Sequence, residues 1–482
     1  MLLSTDDARR RGKGKTNMMI RIFKHYLSVQ IIMLAVVDIA ILFACMYLGV
    51  QLRFIGGDGV GVEVLPVWPK AGAYTAVIFV IMGAMGLYER DLIKGRWEYY
   101  ARLILSFVLG LVAMVAVFYA FPNLYLGRGA FSYTMLLSIL GVVLARGVFL
   151  RIVNHDMLRR RLLVLGIGSQ AAQIELVLTK HYLAHKFIVI GYVAVDLEHH
   201  AVAPERIITR DDSLLGIATK YQIDEIVVAV RERRGGNLPM EELLECKLEG
   251  MDVVDLPSFF ERETGHVQID SLNPSWMIFS DGFCRTSVRN LVKRVSDVTS
   301  CMLLLALTLP VFAVTALLIV LESGMPIFYR QVRVGQCGCP FQVLKFRSMH
   351  TDAERDGRPQ WAQKSDSRVT RVGAIIRKLR IDELPQLFNV LRGDMSFVGP
   401  RPERPFFVTD LEKQIPYYAS RHTVKPGITG WAQIRYPYGA SVEDAREKLQ
   451  YDLYYAKNHS LFLDFIILLQ TAQVVLLGKG AR

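Results

Sequence analysis

The sequence predicts a membrane protein with three parts: a four-helix transmembrane bundle, a Rossmann-like α/β domain, and a second α/β domain that carries a re-entrant membrane helix. Three observations support this prediction. Hydrophobic residues make up 52% of the 482 residues. Four long apolar runs lie towards the N-terminus, and a fifth lies further along the chain. Short apolar stretches alternate with helical patterns between residues 160 and 265.

The predicted bundle occupies residues 29–155 and follows a basic segment, residues 1–28. Each apolar run is close to the roughly 20 residues that a helix needs to span a bilayer. The runs lie near 29–50, 71–88, 103–121 and 131–150. Basic residues cluster before the first run, after the second and after the fourth. Because cytoplasmic loops are rich in Lys and Arg, both ends of the bundle are predicted to be cytoplasmic.

Two charged residues lie inside the predicted bundle. Asp38, in the first run, would line a substrate path or, as the simpler interpretation, make a hydrogen bond between helices. Arg146 lies late in the fourth run, and we expect its long side chain to extend to the cytoplasmic face.

The net charge of +12 predicts anionic partners. Anionic lipid headgroups and phosphorylated substrates are favoured over nucleic acid, because the basic residues flank apolar runs. The six cysteines are scattered, and only Cys337 and Cys339 are close in sequence. We therefore expect reduced thiols without a metal.

Residues 160–265 have the pattern of a Rossmann-like domain. The stretch RLLVLGIGSQAAQI predicts a buried strand, a glycine turn at Gly166 and Gly168, and a helix. Ala171 replaces the third glycine of the dinucleotide-binding fingerprint. A structural or regulatory module is therefore favoured over a nucleotide site, although both stay open.

The fifth apolar run, residues 298–321, has basic residues on both sides. A full span would place the following basic residues outside the cytoplasm, against the positive-inside rule. We therefore predict a re-entrant helix that breaks near Pro310 and returns to the same membrane face. A kinked full span is the alternative.

The stretch RKLRIDELPQLFNVLRGDMSFVGPRP, from Arg377 to Pro402, holds the adjacent carboxylates Asp382 and Glu383 after three cations. Asp382 is predicted to cap a helix that tolerates Pro385 in its first turn and ends at Gly393, roughly three turns later. A carboxylate at that position would stay ionised while facing an anion. A nucleophile that attacks a phosphate needs such a place.

With these pieces assembled, residues 285–482 resemble the bacterial sugar transferases called polyprenyl-phosphate phosphoglycosyl transferases, of the monotopic superfamily. The matching stretches are Lys293-Arg294, RQVRVG, KFRSM, SDSRVTRVG, DELPQLFNVLRGDMSFVGPRP and KPGITGWAQ. The N-terminal helices and the Rossmann-like domain resemble the large form, such as undecaprenyl-phosphate glucose and galactose phosphotransferases. The stretch RYPYGAS resembles the exopolysaccharide-associated branch.

The resemblance implies a reaction and its location. A hexose 1-phosphate would pass from a UDP-hexose to undecaprenyl phosphate with release of UMP, as the first step of exopolysaccharide repeat-unit assembly. The catalytic domain would face the cytoplasm at the bacterial inner membrane. Mg²⁺ is the expected cofactor, and a homodimer is the expected assembly.

The resemblance also implies roles for individual residues. Asp382 would be the nucleophile that forms a covalent phosphosugar intermediate, and Glu383 would bind Mg²⁺. The helix-breaking Ser-Pro of smaller members is Leu309-Pro310 here, so the proline is kept and the serine is not. The remaining candidates are Arg377, Lys345 and Arg401 for phosphate groups, Lys293 and Arg294 for substrate, and Asp366 for the metal.

Two other functions are compatible with parts of the sequence. A non-catalytic membrane scaffold of polysaccharide assembly would not need Asp382. An NAD-dependent nucleotide-sugar-modifying enzyme would use the Rossmann-like domain, but its fingerprint is incomplete. Tyr182 and Lys186 have the Tyr-x-x-x-Lys spacing of short-chain dehydrogenases but lie too close to the glycines for that role, so we expect surface residues there.

Overall fold

The structure is a computed structural model that describes residues 19–22, 25–54, 66–88, 96–153, 159–180, 186–195, 201–210, 212–230, 238–272, 274–283, 286–350, 368–436, 439 and 441–476. These residues form two compact units. The first ends at Thr264, and the second begins at Gly265 and also includes His25. Short strands β1 (Met19–Ile22) and β2 (His25–Ser28) precede the first long helix.

Four long apolar helices begin the first unit, close to the predicted runs. They are α1 (Val29–Phe54), α2 (Val67–Ala84), α3 (Arg96–Ala120) and α4 (Arg128–Val153), with a 3₁₀ turn at Pro122–Leu124. Helix α1 packs against α2 and α4, and α3 packs against α2. Gly49 lets α1 approach α4 closely, because a Cβ there would lie 2.7 Å from the backbone nitrogen of Thr134. All four helices are long and apolar enough to cross a membrane.

Five exposed aromatic side chains lie at one end of these helices, opposite to the end at which Trp97 is exposed. They lie where α2 begins, where α3 ends and where α4 begins. Such a belt is typical of the boundary between lipid and water. Its members are Trp68, Tyr119, Phe121, Tyr125 and Tyr133.

Asp38 and Arg146 form a buried ion pair between α1 and α4. The Arg146 guanidinium donates to Asp38, to the hydroxyl of Tyr99 and to the carbonyl of Leu87. Tyr88 donates to the same Asp38 oxygen at 2.9 Å. The hydrogen bond between helices is confirmed for Asp38. The expectation that Arg146 extends to the cytoplasmic face is wrong, because its side chain is fully buried against this carboxylate.

The rest of the first unit is an α/β domain with one parallel sheet of five strands in the order β5-β4-β3-β6-β7. This order is the doubly wound arrangement expected of a Rossmann-like domain. The strands are β3 (Arg160–Leu165), β4 (Phe187–Val193), β5 (Ile207–Ile208), β6 (Glu225–Val228) and β7 (Asp252–Asp255). The helices are α5 (Ser169–Lys180), α6 (Leu214–Lys220), α7 (Met240–Leu248) and α8 (Leu256–Thr264), with a 3₁₀ turn at Pro204–Arg206.

The glycine turn after β3 has a structural explanation. Gly166 has a φ of 125°, and a Cβ there would lie 2.7 Å from the carbonyl oxygen of Ala229 at the end of the neighbouring strand. The glycine is therefore required by chain packing, whether or not a ligand binds. Tyr182 lies outside the described residues. Lys186 is not the surface residue expected, because it pairs with buried Glu263 and its side chain is 14% exposed.

The second unit builds one core from segments that are distant in sequence. Val267, Leu272 and Trp276 belong to this core together with Trp431 and Tyr454. The unit therefore begins at Gly265, before the predicted start at residue 285.

The helices of the second unit are α9 (Pro274–Phe279), α10 (Ser287–Ser323), α11 (Arg371–Lys378), α12 (Gln386–Arg392), α13 (Pro405–Gln414), α14 (Trp431–Arg435), α15 (Val442–Asn458) and α16 (Leu461–Leu476). The strands form an antiparallel hairpin of β8 (Phe328–Val334) and β9 (Pro340–Phe346), and a parallel pair of β10 (Ser396–Val398) and β11 (Gly427–Thr429). Short 3₁₀ turns lie at Ile269–Ser271, Gln336–Gly338, Ile381–Glu383 and Tyr418–Thr423.

Helix α10 contains the fifth apolar run and is continuous through Pro310. The predicted break is therefore not a gap between two helices. Pro310 still deprives the carbonyl of Ala306 of its usual donor. Thr308 donates its hydroxyl to the carbonyl of Leu304 at 2.7 Å, a contact that often bends helices. The hydroxyl of Thr308 thus lies two residues before Pro310. The residue directly before the proline is Leu309, in place of the expected serine.

Candidate active site

The Asp382-Glu383 pair lies in a tight turn between two short helices. Helix α11 is capped by the side chain of Thr370, and Arg380 then adopts a left-handed conformation with a φ of 60°. Asp382 and Glu383 follow in the 3₁₀ turn Ile381–Glu383.

This arrangement corrects one prediction. Asp382 does not cap a helix of three turns, because α12 is only seven residues long and its N-cap position is held by Pro385. The chain must turn before α12 begins, and that turn carries the carboxylates. Gly393 ends α12 in a left-handed conformation with a φ of 101°, as predicted.

Glu383 is a buried carboxylate held by two cations. Its Oε1 accepts a hydrogen bond from Nζ of Lys345 at 2.9 Å and from a terminal nitrogen of Arg401 at 2.8 Å. Burial acts to raise the pKa of Glu383, but Arg401 and Lys345 together lower it well below its usual value. Glu383 is therefore ionised throughout the physiological pH range.

Asp382 has the opposite shift. Burial raises the pKa of this carboxyl, Lys345 opposes the rise, Glu383 adds to it, and Arg380 and Arg401 oppose it. A more basic carboxylate is a better nucleophile, and the surrounding cations keep its ionised form accessible. Two adjacent carboxylates thus have different properties because their hydrogen bonds and neighbours differ.

A shallow, solvent-open pocket lies near this turn and is connected to it by Lys345 and Arg401, which both contact Glu383. Three cations line it, from β8, from β9 and from the segment after β10: Arg333, Lys345 and Arg401. Val343, Gln386, Pro402 and Gly427 complete the lining. A cavity with three cations in its wall is suited to a multiply charged anion such as a diphosphate.

The β8–β9 hairpin explains why these cations converge. Tyr329 pairs with Lys345, Gln331 with Val343, and Arg333 with Phe341. Because side chains alternate along a strand, Arg333 and Lys345 project from the same face of the hairpin. Arg333 was not among the predicted site residues. An even spacing along the strand places Arg333 on the same face as Tyr329, the pairing partner of Lys345. The pairing of Tyr329 with Lys345 is not visible in the sequence, so this spacing alone could not identify Arg333.

Lys293 and Arg294 have structural contacts. Lys293 donates to Asp464 at 2.7 Å, and Arg294 donates to the carbonyls of Val390 and Leu391 at the end of α12. These bonds fix the beginning of α10 against the rest of the unit. They do not bring either residue into contact with Asp382 or Glu383, and the role of both in substrate binding stays a prediction.

The other predicted residues have different outcomes. Arg377 is half-buried in the last turn of α11, and its guanidinium makes no hydrogen bond or ion pair with a described residue. Its predicted role in phosphate binding is therefore compatible with its position. Asp366 lies outside the described residues.

The residues present fit Mg²⁺ only if the substrate supplies ligands. Among the described residues there is no cluster of three or more His, Cys, Asp or Glu side chains that could hold a metal. Oε2 of Glu383 makes no hydrogen bond to a described residue and is available as an oxygen ligand. Mg²⁺ is commonly held by one or two carboxylates together with substrate phosphates, and Glu383 suits that arrangement.

Comparison with known proteins connects this site to a family. The family model for bacterial sugar transferases matches residues 288–478, which include the turn, the hairpin and the pocket. An Aeromonas hydrophila protein named UDP-N-acetylgalactosamine-undecaprenyl-phosphate N-acetylgalactosaminephosphotransferase is 41% identical over 59% of this chain and 66% of its own length, so slightly less than two thirds of it is covered.

Two relatives are named UDP-glucose:undecaprenyl-phosphate glucose-1-phosphate transferase. The one from Caulobacter vibrioides is 47% identical over 40% of this chain and 72% of its own length. The one from Xanthomonas campestris pv. campestris is 32% identical over 71% of this chain and 73% of its own length. The second alignment extends beyond the matched domain into the N-terminal unit. The chain therefore belongs to the bacterial sugar transferase family and is an enzyme of that class.

Proposed function

We propose that this protein transfers a sugar 1-phosphate from a UDP-sugar to undecaprenyl phosphate, with release of UMP, through a covalent intermediate on Asp382. The observation that carries the proposal is the turn itself. A carboxyl with a raised pKa lies next to a carboxylate paired with Lys345 and Arg401, at the edge of a cation-lined pocket. In the cell this reaction would be the first step of exopolysaccharide repeat-unit assembly.

The reaction takes place in two displacements at one phosphorus atom. A carboxylate oxygen of Asp382 attacks the phosphate that carries the sugar, and a new P–O bond forms. The P–O bond to the neighbouring phosphate breaks, and UMP leaves with the bonding electrons. An oxygen of undecaprenyl phosphate then attacks the same phosphorus, which forms the lipid diphosphate and returns the carboxylate.

The charged residues bring anions together. Lys345 and Arg401 both contact Glu383, the residue that follows Asp382. They are therefore placed to neutralise the charge of the phosphate that Asp382 attacks. Glu383 would hold Mg²⁺ through its second oxygen, and the bound ion would supply further charge neutralisation for the diphosphate. Without such neutralisation the carboxylate and the diphosphate would repel each other.

Helix α10 supports a re-entrant membrane segment. Its first part contacts α12 through Arg294, and its last turn contacts α11 through Glu322, which accepts hydrogen bonds from the backbone of Arg371 and Val372. A straight helix of this length would measure about 55 Å, so contact of both ends with one compact unit favours a bend. Exposed apolar side chains such as Leu303 and Leu307 occupy the middle.

We propose that α10 enters and leaves the bacterial inner membrane at the cytoplasmic face, and that α1 to α4 span it. The soluble donor and the lipid acceptor would then meet at one membrane surface. In a variant whose six cysteines are replaced by serine, a cysteine introduced at position 321 should react with a membrane-impermeant maleimide in inverted vesicles and not in intact spheroplasts. The reverse labelling pattern would indicate a kinked full span.

The proposed activity is tested with Asp382→Asn. Purified protein is incubated with undecaprenyl phosphate and a panel of UDP-glucose, UDP-galactose and UDP-N-acetylgalactosamine, because the relatives are named for both glucose and N-acetylgalactosamine. UMP release should fall at least about 1,000-fold. Asp410→Asn, on the exposed surface of α13, is the matched control and should keep full activity. Wild-type rates from Asp382→Asn would contradict the proposal.

A further inference from the structure

We propose that Arg333 is a donor-binding residue that holds the phosphate of the UMP leaving group. This inference rests on the proposed function and adds a residue that the predicted site did not include. The evidence is the way its guanidinium is held at the pocket wall.

Three elements of local structure fix the guanidinium of Arg333. Its Nε donates to Oε1 of Gln331 at 3.0 Å, and Nη2 donates to the same oxygen. Its Nη1 donates to the carbonyl of Pro402 at 3.1 Å and lies 3.5 Å from Oε2 of Glu403. The side chain is therefore positioned before any ligand binds, which reduces the entropy lost on binding.

Two N–H groups remain for a ligand. A guanidinium has five, and the contacts to Gln331 and Pro402 use three of them. One N–H of Nη2 makes no hydrogen bond to a described residue. One N–H of Nη1 has only the contact to Glu403, which at 3.5 Å is at the outer limit for a hydrogen bond. A guanidinium with donors left on both terminal nitrogens is able to bind phosphate oxygens.

The charge around Arg333 is poorly compensated. Burial lowers the pKa of Arg333, Glu403 partly offsets this effect, and the positive charges of Arg401 and Arg404 add to it. Its side chain is 19% exposed, so water solvates it only in part. A phosphate in the pocket would relieve this unfavourable charge.

Position along the hairpin distinguishes the two phosphates of the donor. Lys345 contacts Glu383 and is therefore next to the attacked phosphate. Arg333 is four residues along β8 from Tyr329, the partner of Lys345, and contacts Pro402 rather than Glu383. Arg333 consequently faces the phosphate that leaves with UMP.

The test separates the two half-reactions. Arg333→Gln should raise both the KM for the UDP-sugar and the inhibition constant of UMP by a similar factor of about 10 to 100. The second half-reaction, from the covalent intermediate to undecaprenyl phosphate, contains no UMP, so its rate should stay at the wild-type value. Arg330→Gln is the matched control, since Arg330 is exposed on the opposite face of the same strand.

Arg333→Lys keeps the charge and removes the paired donors, so it should raise the UMP inhibition constant by a smaller factor. This variant also serves if Arg333→Gln does not accumulate in membranes. An unchanged UMP inhibition constant in both variants, with an active wild-type enzyme, would overturn the role of Arg333 alone. An inactive wild-type enzyme would instead overturn the proposed function.

Discussion

Two clusters of charged side chains, one in each unit, differ in how their charges are balanced. At the amino edge of the parallel sheet, three cations meet three carboxylates in ion pairs of 3.5 Å or less: Arg160, Lys186 and Arg262 with Glu225, Asp252 and Glu263. Beside the pocket, the cations Lys345, Arg380 and Arg401 act on Asp382, and Lys345 and Arg401 also act on Glu383. Arg333 lies near the carboxylate of Glu403 and near two further cations, Arg401 and Arg404.

This difference indicates separate roles. The balanced cluster has no net charge to offer a ligand, and it lies at the strand ends opposite to those where ligands bind in doubly wound folds. The pocket has an excess of positive charge and an open cavity. Charge excess, rather than the presence of buried ion pairs, therefore identifies the anion site.

After Asp382→Asn, the largest expected effect is a loss of activity on changing the other carboxylate of the turn. Glu383→Gln removes the carboxylate that Lys345 and Arg401 hold and the proposed Mg²⁺ ligand, so kcat/KM should fall about 100- to 1,000-fold. The measurement is UMP release at saturating undecaprenyl phosphate. Glu412→Gln, on α13, is the control and should leave kcat/KM unchanged. Equal values of kcat/KM for the two variants would show that Glu383 has no role in the reaction.

The next effect concerns stability at the balanced cluster. Glu225→Gln leaves Arg160 and Arg262 without their shared buried carboxylate and should cost about 3–5 kcal/mol of unfolding free energy. Thermal unfolding of the detergent-solubilised protein measures this loss. Asp252→Asn, whose side chain is 35% exposed, should cost no more than about 1 kcal/mol. The specific activity of the folded fraction should not change, and a selective loss of activity would assign a functional role to this edge.

A smaller effect concerns pH. Only the ionised form of Asp382 attacks, so its raised pKa places the acid limb of kcat/KM above the ordinary aspartate value of 3.8. Lys345 lowers this pKa, so Lys345→Met should move the limb to still higher pH as well as reduce the rate. Lys413→Met, on the exposed face of α13, should leave the limb in place. The profile is measured from pH 3.8 upwards, and an unmoved limb in Lys345→Met would contradict the assigned cause.

The smallest expected effect is on stability at Asp382 itself. A raised carboxyl pKa means that ionisation costs folding free energy, a cost that is absent at low pH and develops as pH rises through that pKa. Asp382→Asn should therefore raise the Tm slightly at pH 7 or leave it unchanged. Glu383 has a lowered pKa, so its contribution is present at neutral pH and is lost as pH falls through that value. Glu383→Gln should therefore lower the Tm. A decrease in Tm for both variants would contradict the opposite pKa shifts assigned to Asp382 and Glu383.

The architecture was predictable because it depends on patterns along the chain. Apolar runs gave the long helices, and Gly393 ends its helix because a left-handed residue is needed there. Contacts between distant segments were not predictable. Arg146 pairs with Asp38 across 108 residues, which differs from its expected extension to the membrane face. Arg294 donates to the carbonyl of Val390 across 96 residues, a contact that the sequence does not indicate.

The part of the site that depends on patterns along the chain was also predictable. Asp382, Glu383, Lys345 and Arg401 lie in short dense motifs, and the structure brings them together. Arg333 was missed because its role depends on hairpin register and on the carbonyl of Pro402, which is 69 residues away. The helix cap predicted for Asp382 was wrong because the left-handed turn at Arg380 is not apparent from residue type.

The measurement that tests the central claim most directly is the mass of the peptide that contains Asp382. Purified protein is incubated with its UDP-sugar in the absence of undecaprenyl phosphate, quenched, digested and examined by mass spectrometry. We expect the mass of one sugar phosphate to be added at Asp382, and to be lost when undecaprenyl phosphate is supplied before quenching. An enzyme that forms lipid-linked product at its normal rate while this peptide stays unmodified, or while another residue carries the adduct, would contradict the account.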